Sequence, residues 1–463
     1  MKKSLPLIGG IALGLVVMFL PMNGLTHQAQ AALAILTWAI VWWIFKVLPD
    51  FVTAMLMGVL FVSLSDAPMA TVCSAFSGST WWLLMTAFGL SLGISKCGVL
   101  KRMSLHLLQL FPKSFFGQIT GLTAVGFVSA PFIPSLSAKS AMLAPLSLGI
   151  SDSIGYERKG KQATGLFIAM LTGLRTPALL FISASPIGYA LISHYPDQIS
   201  QQFTMGKWFL SALPWFIIST AATLSVIYLL YKPSNGTQSQ SGNSADAMAS
   251  LPLMSKNEKF MTMIICSALF LWVTESIHGI SAHLVAISAL CLTIATGTLS
   301  VKEFCSEMNW DSIIFIGFAL GIASVFSELQ INTWIVKIFL PVFSFFSANP
   351  VVFLICIAVL TVLLRFVIVS EMAFINIIMA FLIPLAETMG INPWVVGLTV
   401  YSVISPWFFL YQNPVYMAAY HSVKGEMINH GDIVPFCLIY LIICIAAIVI
   451  SVPYWIYTGV FYL

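Results

Sequence analysis

Five charged side chains lie inside apolar runs: Lys139 in SLSAKSAML, Arg175 in TGLRTPALL, Arg365 in TVLLRFVIV, Glu275 in LWVTESIHG and Glu371 in VIVSEMAFIN. A charge at membrane depth costs at least about 2.5–3.5 kcal/mol, which makes such residues candidates for a substrate or ion pathway. Lys139 is surrounded by Ser135, Ser137 and Ser140, and Arg175 directly precedes Thr176-Pro177. Where a helix starts or breaks, free backbone N–H groups and the positive end of the helix dipole can meet an anion. Lysine supplies a point charge to such a site, and arginine two parallel hydrogen bonds to a carboxylate, phosphate or sulfonate. Arg365 and Glu371 share one segment and either pair with each other or take part in coupling. Glu275, beside His278 and Gly279 near a span end, reads as an interfacial acid that reaches back to water.

This chemistry is binding rather than catalysis. The chain has no P-loop, no GxGxxG after a strand, no GxSxG and no HExxH, and its seven histidines are scattered. An ATP-driven pump and a membrane-embedded enzyme are therefore disfavoured. The eight cysteines form no CxxC and have no histidine at metal spacing, so they read as buried apolar residues. No metal site or organic cofactor is expected.

The solvent around these residues follows from composition. Of 463 residues, 59% are hydrophobic and 8% charged, with a mean hydropathy of +0.97. A soluble domain carries about 25% charged residues. At about 20 residues per span, the length leaves room for about a dozen crossings. The formal charge of +4 is spread over short loops, which gives no nucleic-acid surface. The 13 tryptophans, Trp42, Trp43, Trp81 and Trp82 among them, read as anchors at the membrane interface.

Apolar runs of spanning length lie near 5–25, 30–48, 51–66, 80–99, 163–193, 208–231, 259–278, 280–299, 311–330, 350–369, 394–420 and 434–461. Two further apolar stretches, 114–151 and 338–390, are interrupted by Pro131, Pro134 and Pro145 and by Pro341 and Pro384. Such breaks persist at membrane depth only where backbone is buried in protein or lines a cavity. The polar stretch 233–258 reads as a flexible linker that divides the chain almost in half. Met1-Lys2-Lys3 and the following apolar run imitate a secretory signal. The run's length and the span that follows favour a first helix that is kept. Fifteen loop cations, from Lys2 to Lys424, fall on one side, and the loops assigned to the other offer only Lys207. The positive-inside rule then places the N-terminus and linker in the cytoplasm and the C-terminus outside.

The halves echo each other. Trp81–Met103 resembles Trp310–Ile335, and the stretch ending at Pro145 has its counterpart in the one ending at Pro384. After each comes a span interrupted by polar residues and proline: Thr176-Pro177 with Ser183-Ala184-Ser185-Pro186, then Ser405-Pro406 with Tyr411-Gln412-Asn413-Pro414. Paired discontinuous segments in two halves are the mark of an inverted-repeat secondary transporter.

At this point the chain resembles the divalent anion/sodium symporter family over nearly its whole length. The segment ILTWAIVWWIFKVLPDFVTAMLMGVLF is similar to that family's W-x3-WW-x-TE-x-LP-x2-VTALL region. FSGSTWWLLMTAFGLSLGISKCGVLKR, KWFLSALPWFIISTAATLSVIYLLYKP and NWDSIIFIGFALGIA follow in the family's order. The resemblance implies an all-α polytopic membrane protein of about eleven spans. Its two inverted-topology repeats would each pair scaffold helices with a re-entrant hairpin and a discontinuous helix, and work as an elevator. Scaffold is then expected over 1–112 and 259–337, and transport units over 113–232 and 338–463. It also implies an inner-membrane homodimer carrying dicarboxylates, tricarboxylates or sulfate, usually with sodium.

The tips depart from the family. The resemblance implies a Ser-Asn-Thr motif at each hairpin tip, whose oxygens bind sodium and substrate. Counting back from the prolines, the first tip reads Ser135-Leu136-Ser137 with Lys139 in place of a small hydroxyl residue. The second reads Phe374-Ile375-Asn376 after Ser370-Glu371. Leu136, Phe374 and Ile375 bring no side-chain oxygen to a hard cation. Lys139 is therefore expected to stand in for at least one sodium ion, with coupling to protons through Glu371 or to anion exchange. The expected substrate site comprises Ser135, Ser137, Lys139, Arg175, Thr176, Ser183, Ser185, Asn376, Gln412 and Asn413, with Glu371 and Arg365 in coupling. Tyr411-Gln412-Asn413 is mildly similar to the sulfate branch's Gly-Tyr-Gln-Thr-Asn run, which keeps sulfate and sulfonates open. Erosion at both tips also keeps open a transport-inactive sensor or assembly partner.

Overall fold

The computed structural model describes residues 4–233, 253–338, 349–368, 370–409 and 412–463. Pro341, Tyr411 and most of the expected linker, 234–252, lie outside the described residues. Described helix resumes at Lys256, inside the span read as linker, because Ser255 and Glu258 form a reciprocal capping box. Arg102 braces that start, its Nε 3.1 Å from Glu258 Oε1.

Six described helices are long and apolar enough to cross a membrane, and Ser79–Cys97 with Val99–Gln109, bent by 69°, makes a seventh. Five more apolar helices have 10–17 residues. The count departs from one long helix per apolar run because the runs at 163–193 and 394–420 are each cut in two. Lys161–Leu180 and Pro186–His194 form the first broken helix. Pro393–Val403 and Pro414–Ser422 form the second. Each proline-punctuated stretch also makes a pair of arms. The first hairpin has arms Phe115–Ser129 and Leu136–Ile154, and the second Pro350–Arg365 and Glu371–Thr388.

The repeat is visible in the packing. Asp50–Leu64 packs on Trp310–Glu328, and Ser79–Cys97 on Ala282–Ala295, segments read from sequence as scaffold. Lys161–Leu180 packs against both arms of the first hairpin, and Pro393–Val403 against both arms of the second. The other halves cross over: Pro186–His194 packs on Glu371–Thr388, and Pro414–Ser422 on Leu136–Ile154. Each half-helix start is thereby delivered to the opposite hairpin. Gly126 and Gly173 permit the contact between the first hairpin and Lys161–Leu180. A Cβ at Gly126 would lie 1.9 Å from the Gly173 carbonyl oxygen.

Several sequence readings change. Trp42 and Trp43 are buried in the scaffold rather than placed as interface anchors, because their indole N–H groups donate to Leu7 O and Asp50 O. Cys437 and Cys444 are buried, but Cys266, Cys291 and Cys305 are exposed on outer helix faces. The Glu275 carboxylate accepts from Ala282 N at 3.2 Å and so steadies the start of the next helix.

Candidate functional site

Four helices begin around one cavity, and each start follows from its local sequence. Ser135 accepts from Ala138 N, Ser185 from Ile187 N, Ser370 from Ala373 N, and Asn413 from Val415 N and Tyr416 N. Proline follows at the first helical position after Ser185 and Asn413, where its missing N–H costs nothing. After Ser135 and Ser370, the amides of residues 136, 137, 371 and 372 have no intrahelical acceptor. Ser135, Leu136, Ser137, Glu371 and Met372 all line the cavity, together with Ser185, Pro186, Ser370 and Pro414. Its volume is about 790 Å³. The opposite wall belongs to the scaffold: Lys46 to Phe51, Phe88, Asn309, Asp311, Ser312 and Phe315. Four positive helix ends on one wall make an anion-attracting surface.

Behind that wall sits a buried ionic network. Both Glu371 oxygens accept from the Arg175 guanidinium, through Nη1 at 3.2 Å and a shorter contact from Nη2. Arg365 Nη2 is 4.0 Å from the same carboxylate. Arg365 also donates to Ile368 O at 2.6 Å and Gln412 O at 2.8 Å. The network joins the first broken helix, the second hairpin tip and the second break. Sequence reading pairs Arg365 with Glu371 inside one segment. The closer partner is Arg175, because the crossed packing brings the first repeat against the second hairpin. Arg175 is accordingly engaged with Glu371 instead of facing the cavity.

Lys139 lies one turn inside the first hairpin's second arm, fully buried, and its Nζ has no hydrogen-bond partner among the described residues. It does not line the cavity; Ser135 and Ser137 do. Ser183 Oγ donates to Pro131 O at 2.9 Å and ties the first break to the first tip. Thr176 Oγ1 donates back to Thr172 O within its own helix. Gln412 Oε1 accepts from the amides of Phe408 and Phe409, while Nε2 donates to Arg365 O. Asn413 Nδ2 donates to Ser405 O at 3.0 Å. Gln412 and Asn413 are thus spent on shaping the second break.

The second tip differs from the position counted back from Pro384. The cavity-facing turn starts at Ser370, which makes it the partner of Ser135. Phe374, Ile375 and Asn376 lie at least one turn deeper and are fully buried. Pro384 stands one turn further from its cap than Pro145 does, which shifts the count by four residues. Asn376 Oδ1 meets His194 Nε2 at 2.8 Å and its Nδ2 donates to Met372 O. Sequence reading missed His194, whose only signal is proximity in space. It also missed Lys46, Asp50, Asn309 and Asp311. Their signal was present, since they fall inside the family-like segments.

The family model for the sodium:sulfate symporter transmembrane region matches residues 1–461. The chain belongs to this family, the divalent anion/sodium symporters. Among curated relatives of this chain, the inner membrane protein YbhI of Escherichia coli K12 is 25% identical over 402 residues, 84% of each chain. A chloroplastic dicarboxylate transporter 1 of Arabidopsis thaliana is 25% identical over 71% of this chain and 60% of its own length. Among solved structures, the Alcanivorax borkumensis YdaH transporter superposes with a TM-score of 0.57 at 16% identity. That superposition covers 84% of this chain and 88% of the other, and supports the all-α polytopic transporter fold. The symporter family and these relatives make the chain a multi-pass membrane transporter of the anion-carrying kind.

Proposed function

We propose that the protein is a secondary transporter of small dicarboxylates, which bind in the cavity between the hairpin tips, the two breaks and the scaffold. The observation that carries this reading is the convergence of four capped helix starts on one wall, Ser135, Ser185, Ser370 and Asn413. Converging dipoles favour carboxylates over neutral ligands. About 790 Å³ is ample for a hydrated dicarboxylate. The similarity to a dicarboxylate transporter supports that class over sulfate. The Gln412–Asn413 likeness to the sulfate branch loses weight, because both side chains are occupied within the break.

Alternating access is by movement of the two hairpins and broken helices against the scaffold, in a homodimer of the inner membrane. The positive-inside rule puts the N-terminus in the cytoplasm and the C-terminus outside. The scaffold loops that line the cavity, 46–51 and 309–312, then lie at the cytoplasmic end, so this conformer is inward-facing. Lys139 replaces sodium at the first tip, and Glu371, held by two arginines, favours exchange of one anion for another over proton uptake.

The test is uptake of radiolabelled succinate into proteoliposomes, with and without internal succinate, in sodium and in choline. Uptake in choline that needs internal succinate is the expected result. Strict dependence on a sodium gradient overturns the role given to Lys139. Failure to take up any anion overturns transport and favours the sensor reading.

A further inference from the structure

We infer that the net charge of four buried groups selects the charge of the bound anion, and that Glu371 is the residue that sets it at two. The inference rests on the anion-transport reading of the cavity. Among the described residues, the buried lysine, arginine, histidine and acidic side chains of the hairpins and broken helices are Lys139, Arg175, Arg365, Glu371 and His194. His194 is neutral in the formal count and hydrogen-bonded to Asn376. With Lys139 holding its proton opposite a bound anion, three cations against one carboxylate leave two positive charges.

The remaining charged groups at the cavity do not change that number. Lys46 and Asp50 neutralise each other through contacts of 2.8 and 2.6 Å. Asp311 is exposed to water at the scaffold rim. A charge in water is screened within about a Debye length, whereas buried charges act through a medium of low effective dielectric. The buried excess of two is therefore what the ligand senses, together with the four helix ends.

The arrangement separates this count from direct contact. Arg175 and Arg365 are engaged behind the wall, and Lys139 sits a turn below the capped start at Ser135. Lys139 Nζ has no partner among the described residues, and a lone buried ammonium is costly until an anion supplies the counter-charge. Arg175 and Glu371 cancel as a pair. The surplus then comes from Lys139 on one hairpin and Arg365 on the other. A dianion neutralises the assembly without sodium. A monoanion leaves it positive and a trianion makes it negative. Glu371, in the cavity wall itself, is thus a specificity-determining residue through its charge.

The experiment measures binding of butyrate, succinate and tricarballylate to purified full-length protein by calorimetry. It is run in choline at pH about 7, where the carboxyls of all three ligands are ionised. Wild type is expected to prefer succinate. In Glu371→Gln the ratio of tricarballylate to succinate affinity rises about tenfold or more, and in Lys139→Met the ratio of butyrate to succinate rises likewise. The double variant Arg175→Gln/Glu371→Gln removes one charge of each sign and keeps the wild-type preference. It also avoids the unpaired arginine that could prevent Glu371→Gln from folding. A double variant that selects as Glu371→Gln does, or single variants that move the preferred ligand charge the same way or not at all, overturns the charge rule. Wild type that binds no anion overturns the transport reading with it.

Discussion

The two hairpin tips are built alike and finished differently. Ser135 and Ser370 each cap the second arm of a hairpin, and each arm packs on the crossed-over half of the other repeat's broken helix. One residue past its cap, the first tip has Leu136 and the second has Glu371. Four residues past, the first has Lys139 and the second Phe374. The second tip's charge is gripped by Arg175 with Arg365 nearby, and the first tip's charge has no partner among the described residues. A repeated scaffold thus carries one locked tip and one open tip. The locked tip ties the two repeats together through Arg175, and the open one is where the proposed anion would supply the counter-charge.

The comparison breaks most visibly at Arg175. Arg175→Ala leaves Glu371 with only the more distant Arg365, and removal of one partner of a buried pair costs about 3–5 kcal/mol. A large fall in thermal stability in detergent is expected, partly restored in Arg175→Ala/Glu371→Ala; an unchanged melting temperature would show that the second tip is not locked. At the open tip the sign reverses. Lys139→Met removes an unsatisfied buried group, so the ligand-free protein is expected to gain roughly 1–3 kcal/mol. A loss of stability instead would mean that Lys139 already has a counter-charge.

The caps sharpen the likeness rather than the difference. Ser135→Ala and Ser370→Ala should each cost about 1 kcal/mol, read as similar falls in melting temperature without ligand. Unequal falls would show that only one start is held by its cap.

The smallest effect lies away from both tips. Lys96 hydrogen-bonds Glu303 on the short helix Val301–Glu307 and holds its carboxyl down at about 2. Because this value is depressed in the folded state, the tie is present above the ordinary carboxylate range and is lost as pH falls toward 2. Hydrogen exchange in residues 300–307, corrected for the intrinsic rate, should stay flat from pH 7 to 5 and rise progressively as pH falls below about 4.5 toward 2. Cavity-facing amides should show no parallel change.

Much of this was legible in the sequence, for identifiable reasons. Composition dictated a membrane solvent, since 8% charged residues cannot clothe a soluble surface of this size. Proline and small polar residues in otherwise apolar runs marked the interruptions, because an interrupted backbone ladder needs burial or a cavity. Ser-Pro186 and Asn-Pro414 even mark the half-helix starts, as proline tolerates the first helical position and serine or asparagine caps it. Charges at membrane depth singled out Lys139, Arg175, Arg365 and Glu371 without any structure.

What the sequence could not decide was partnership. Arg175 and Glu371 are 196 residues apart, and only the crossed packing of the repeats brings them together. The same crossing places His194 on Asn376 and supplies the cavity with starts from four separate segments. Nor could a count from proline find the second tip, since a proline within a helix interior records a local break and not its distance from the cap. Local chemistry is written residue by residue. Which charge is satisfied and which is left for a ligand depends on the fields of distant segments, and those exist only once the repeats have packed.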